Sequence, residues 1–171
     1  MKNSSTKKLA AASVLSALGV LILLIGSFVE VADLSAAAIA SFVILFAVYE
    51  FRGAYPLLMW VCISLLGLLL LPSKLPALYF AVFFGWYPIL KRHLERLPIV
   101  ISWALKTLTF AISFVAAELA GSLFIAKEEL LSLSVWICIG SAVVFVLFDI
   151  ALSRICIVYH RIWKQRFNIK F

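Results

Sequence analysis

Histidine, carboxylate and cysteine are all scarce in this chain: of 171 residues, two are His, eight are Asp or Glu and three are Cys. His93 and His160 lie far apart and lack ligand spacing, so no metal centre is expected. Cys62, Cys138 and Cys156 show no CxxC spacing and, being three, cannot all pair within one chain. They read as small buried apolar side chains. HExxH, GxSxG and a glycine-rich phosphate loop are absent. No cofactor, nucleotide-driven motor or enzymatic activity is therefore expected. Charge is thin as well, at 13% of residues, roughly half the usual share of a soluble domain.

What the chain has in quantity is hydrocarbon. Hydrophobic residues make up 65% of it, in recurring runs of some twenty. In lipid every backbone polar group needs an internal partner, which leaves helices or a closed barrel. Runs such as "LGVLILLIGSF" and "SAVVFVLFDIALS" do not alternate as barrel strands would. The expectation is an all-α, polytopic integral membrane protein, a single domain over 1–171, in contact with membrane lipid. Breaks at charge, proline and glycine predict six spans at about 9–29, 34–51, 55–71, 75–90, 99–124 and 131–152, then a basic tail over 153–171. "MKNSSTKK" resembles the basic start of a signal peptide, with "SAA" at 35–37 as a cleavage pattern. The run from Leu9 to Val29 exceeds the usual 7–15 residues, so a retained helix is expected.

The net charge of +7 is too dispersed among apolar spans to indicate nucleic acid; it reports orientation instead. Twelve basic residues fall on one side: Lys2, Lys7 and Lys8, then Arg52, then Lys91, Arg92 and Arg96, and finally Arg154, Arg161, Lys164, Arg166 and Lys170. The opposite loops hold Lys74 and Lys127 with Glu30, Asp33, Glu128 and Glu129. Both termini are accordingly expected in the cytoplasm and the chain in the cell membrane.

Ionisable groups within the spans mark the candidate chemistry, since each costs about 2.5–3.5 kcal/mol at a helix centre. Lys106 lies ~12 Å into the fifth span from Pro98, and Asp149 ~27 Å into the sixth from Leu131, at 1.5 Å per residue. In a core about 30 Å thick both reach the inner half, where antiparallel neighbours would form a Lys106–Asp149 ion pair. Such a pair serves a proton or ion relay or, as the plainer reading, fixes two helices; Arg154 is a competing partner for Asp149. Glu118, toward the outer end of the fifth span, faces an outward pocket or is an interfacial carboxylate. Tyr79, Phe80, Phe83 and Phe84 form an aromatic stripe, either packing or a ligand wall. Together with Lys74 and Glu118 the stripe would make a concave outer site. Small pairs, Ala12/Ser16 and Ser13/Ala17 continued by Gly19, suit close helix contact, within the bundle or with a separate membrane subunit. "SAAAIAS" gives Ala36/Ala40 and Ala37/Ser41 in the second span.

With its basic stub and alanine-rich "STKKLAAASVLSALGVLI", the chain resembles a substrate-binding S-component of energy-coupling factor (ECF) transporters, in topology over essentially its whole length. The resemblance implies a six-helix subunit that takes a vitamin or similar micronutrient from outside, with a transmembrane T-subunit and two ATPases as partners. It places T-subunit contact on the first helix, here Ala12, Ser13, Ser16 and Ala17. It places the small-molecule site in the first loop and helices 4 to 6, here Asp33, Lys74, Tyr79, Phe83 and Glu118. The competing expectation is a non-catalytic membrane scaffold of an envelope or rod-shape complex, similar to MreD-like proteins. An intramembrane enzyme would need a polar constellation that Lys106, Asp149 and Glu118 alone do not make.

Overall fold

A computed structural model describes residues 2–29, 32–51, 53–94, 98–121 and 135–158. Every regular element among them is helical: α1 (Lys2–Gly26), α2 (Asp33–Glu50), α3 (Tyr55–Leu70), α4 (Leu75–Tyr79), a π segment (Phe80–Phe84), α5 (Tyr87–Leu94), α6 (Ile99–Gly121) and α7 (Val135–Val158). Three stretches among the described residues are long and apolar enough to cross a membrane: Thr6–Gly26, Asp33–Glu50 and Val100–Ala117. Large apolar side chains point outward along α1 (Val14, Leu18, Leu21, Ile25), α3 (Leu58, Leu65, Leu69) and α6 (Ile112, Val115). A water-soluble monomer rarely exposes apolar faces on that scale, and lipid is the solvent they suit.

α2 is the central post, packed against α1, α3, α4, the π segment, α5 and α7. Its small residues make this possible: Ala37, Ala40, Ser41 and Ala47 are fully buried. α1 lays a seam of Ala12, Ser16, Gly19, Leu23 and Gly26 against α2 and α3. The seam recurs every three or four residues, as one helix face requires. At Gly26 a Cβ would stand 2.2 Å from that of Ala36, so the α1–α2 approach depends on the missing side chain. Ser16 satisfies its buried hydroxyl by donating to the Ala12 carbonyl at 2.9 Å. Ala12 and Ser16 thus face the chain's own bundle, while Ser13 and Ala17 are exposed.

Helix ends are built from few residues. Pro56 and Pro76 occupy the first turns of α3 and α4, where a missing N–H is harmless. Between them Lys74 Nζ donates to the carbonyl oxygens of Leu71, at 2.6 Å, and Leu69, at 3.5 Å. A lone lysine is placed there because the last carbonyls of α3 lack intrahelical donors and carry the negative end of its dipole. Lys74→Met should therefore lower stability by about 0.5–1 kcal/mol. A melting curve in detergent would show it as a fall of about 1–4 °C.

Several boundaries differ from the sequence expectation. α1 starts at Lys2 and stops at Gly26, and α7 continues six residues beyond 152, carrying Ser153 and Cys156 into the bundle. The segment expected as the fourth span reaches Leu94 but is broken, because proline and glycine interrupt its ladder. Cys62 is exposed on α3 and so is not a buried filler, whereas Cys156 donates its thiol to Tyr49 Oη at 3.1 Å.

Candidate functional site

The break between α4 and α5 positions the site. The Gly85 N–H donates to the Phe80 carbonyl at 2.7 Å, five residues back, which widens one turn into the π segment. The Ala81 carbonyl, which an α-helix would pair with Gly85, instead accepts the Trp60 indole N–H at 3.2 Å. The Val82 carbonyl accepts the Trp86 indole in the same way. Pro88 has no N–H to offer Phe84, and the chain restarts as α5 with that proline in its first turn. Two of the carbonyls freed by the break thus find side-chain donors.

Beyond the break, α5 delivers Tyr87 and Lys91 to Asp149 of α7. The Tyr87 hydroxyl donates to Asp149 Oδ1 at 2.7 Å. Lys91 Nζ bonds the same oxygen, the Asp149 carbonyl at 2.6 Å and Ser153 Oγ at 2.8 Å. Lys106 of α6 reaches Asp149 Oδ2 at 3.1 Å, and its Nζ lies 5.5 Å from the Trp103 ring centroid. Ser153 Oγ donates to the Asp149 carbonyl at 2.9 Å. Lys91, Lys106 and Asp149 are only 2%, 6% and 4% exposed. Two ammonium groups from different helices therefore converge on one buried carboxylate and tie α5, α6 and α7 at one level. The neighbouring Arg92 turns the other way, donating to the Val48 carbonyl in the last turn of α2 and covering the Tyr49 ring at 5.7 Å.

The structure thus brings Lys106 and Asp149 together and leaves Arg154 exposed. Sequence reasoning missed Lys91, which it counted among the basic residues of the cytoplasmic side, and Tyr87. The available signal was their own spacing: four residues apart on either side of Pro88, they share a helix face.

Above the charged group lies an aromatic layer. Phe83 packs on Tyr87 with centroids 4.9 Å apart and on Phe145 at 5.8 Å, and Phe110 stacks on Phe145 at 4.6 Å. Edge-to-face and offset contacts of this kind favour a fixed arrangement. On its other side is a cavity of about 210 Å³. Its walls are Tyr79, Phe83, Phe84, Phe110, Phe114 and Phe145. Leu34, Ser113, Ala117 and Val144 complete them.

Of the five residues assigned to a solute site, Tyr79 and Phe83 line this cavity. Lys74 does not, being committed to the end of α3. Asp33 is buried in the first turn of α2, beside the cavity-lining Leu34, where a carboxylate suits the helix dipole. Glu118 follows Ala117 on α6, and its side chain lies outside the described residues. Among the described residues, no cluster of His, Cys, Asp or Glu is arranged to hold a metal ion.

No protein-family model, curated protein or solved structure matches this chain. Fold and site together describe a helical protein with membrane-length apolar helices, a buried lysine–aspartate–lysine group and an aromatic cavity beside it.

Proposed function

We propose that this chain is a multi-pass protein of the cell membrane, with six spans and both termini cytoplasmic, that captures a small solute from the outer side. In this reading it is the non-catalytic substrate-binding subunit of an ECF-type uptake transporter, and a T-subunit and two ATPases supply the energy. The observation that carries the proposal is the cavity of about 210 Å³ between α2, α4, the π segment, α6 and α7, walled by Tyr79 and Phe83 among other aromatics. A hollow walled by aromatic rings from several elements offers a ligand ring faces and edges, which a scaffolding role does not call for. The Lys91–Asp149–Lys106 group is the frame in this reading: it locks α5, α6 and α7 while the opposite side of the aromatic layer stays open to a ligand.

Gentle purification followed by mass spectrometry of retained small molecules tests the proposal. One enriched species is expected, lost from an Ala117→Trp variant that fills the cavity, together with co-purifying T-subunit and ATPases. Retention of no molecule, no thermal shift across a vitamin panel, and co-purification with cell-wall or cytoskeletal proteins would move the chain to the scaffold class.

A further inference from the structure

The geometry points to an uncharged, single- or fused-ring aromatic solute with one polar group as the ligand of this cavity, held by ring contacts and by a hydrogen bond to Ser113. The inference rests on the solute-binding reading and specifies the chemistry of that site.

Ser113 carries the polar half of it. Serine and threonine hydroxyls inside apolar helices usually bond back to their own backbone, and those of Ser13, Ser16, Ser41, Thr107 and Ser153 do so here. Ser113 and Ser64 are buried with no hydrogen-bond partner for Oγ among the described residues, and of the two Ser113, 3% exposed, lines the cavity. A desolvated hydroxyl left unsatisfied is unfavourable, so a polar atom arriving with the ligand gains a bond that water does not already supply.

Shape and charge carry the rest. An apolar cavity of about 150 Å³ accepts benzene, so about 210 Å³ suits a substituted ring or a fused bicycle. Aromatic walls from four elements offer ring faces and edges to such a plate. The lysines do not line this space: Phe83, Phe110 and Phe145 lie toward it, while Lys91 and Lys106 are bonded to Asp149 beyond Tyr87. A charged group in the cavity would be desolvated against phenyl rings, a strongly unfavourable transfer.

Four probes test this on the purified full-length protein in nanodiscs: indole, naphthalene, tryptamine and indole-3-acetate, by saturation-transfer NMR with titration. Indole is expected to bind saturably, at least about tenfold more tightly than either charged analogue. Ser113→Ala should weaken indole about fivefold and leave naphthalene unchanged. Ala117→Trp should remove saturable binding of both, with Ala117→Leu as the milder variant if the larger side chain disturbs folding. Equal affinity for the charged analogues, or an equal response of indole and naphthalene to Ser113→Ala, overturns the ligand class and leaves solute capture standing. A folded protein that binds none of the four yet retains a charged or non-aromatic solute on purification overturns the class in the same way. One that binds none and retains nothing removes the reading beneath it as well.

Discussion

Asp149→Ala is expected to lower the unfolding temperature of the purified protein by about 10 °C. The substitution leaves Lys91 and Lys106, 2% and 6% exposed, without the carboxylate on which both converge, and removes the acceptor of the Tyr87 hydroxyl. Breaking a buried pair by deleting one partner costs about 3–5 kcal/mol, because the remaining charge keeps its desolvation penalty. Asp149→Asn should fall nearly as far, since an amide keeps the shape but cannot balance an ammonium. Lys106→Met alone should be milder, because Lys91 keeps its contacts with Asp149 and Ser153. Adding Lys106→Met to Asp149→Ala should recover part of the loss, and that non-additivity is the signature of direct coupling. A fully apolar replacement, Lys91→Met with Lys106→Met and Asp149→Leu, is expected to melt close to the parent, since buried ion pairs seldom out-stabilise well-packed hydrocarbon. What the charges then contribute is register: one carboxylate fixes α5, α6 and α7 at a common level. Thermal melts in one detergent decide the matter, and a single Asp149→Ala variant within about 2 °C of the parent would sink the account.

How much of this was legible beforehand depended on whether a feature is periodic or local. Apolar runs report helices directly, because lipid leaves a backbone little else to do. Rise per residue set Lys106 and Asp149 both in the inner half from sequence alone, since α6 and α7 run unbroken through both positions. The same arithmetic was blind to Lys91. Beside Arg92, His93 and Arg96 it looks like part of a solvated patch, and only the continuation of α5 past Pro88 carries it inward. Lys74 misled in the opposite direction. A charge at an outer turn invites a ligand, but its ammonium answers the nearest unsatisfied carbonyls, those of Leu69 and Leu71. The aromatic stripe announced itself at 79, 80, 83 and 84; which rings face a void was set by the π turn, which no periodicity signals. Ser113 was invisible as well, because its interest lies in a bond it does not make.

Gly85→Ala should, with Gly26→Ala, be among the most damaging single methyl groups introduced into the described bundle, at about 2–3 kcal/mol or a fall of about 5–10 °C. Gly85 has φ −76° and ψ −40°, ordinary helical values, so glycine is required there for space and not for conformational freedom. A Cβ would stand 2.3 Å from Trp60 Cδ1, 2.8 Å from Phe80 Cε1 and 2.9 Å from the Phe80 carbonyl oxygen. None of the three yields easily. The indole of Trp60 is held by its bond to the Ala81 carbonyl, Phe80 is fully buried, and the Phe80 oxygen accepts the Gly85 N–H that defines the π turn. Relief demands that the turn itself move, and Tyr79, Phe83 and Phe84 move with it; Gly85→Ala should thus lose indole binding along with stability. Gly140→Ala is the matched control, because a Cβ there meets nothing within 4 Å. It should be neutral or slightly stabilising, by up to about 1 kcal/mol, through helix propensity alone. Pairing Gly85→Ala with Trp60→Leu clears the nearest clash but removes the donor to Ala81, so only partial recovery is expected. Equal melting of the Gly85 and Gly140 variants would mean that the α3 approach to the π turn is looser than these distances require, and that the cavity walls are not held by it.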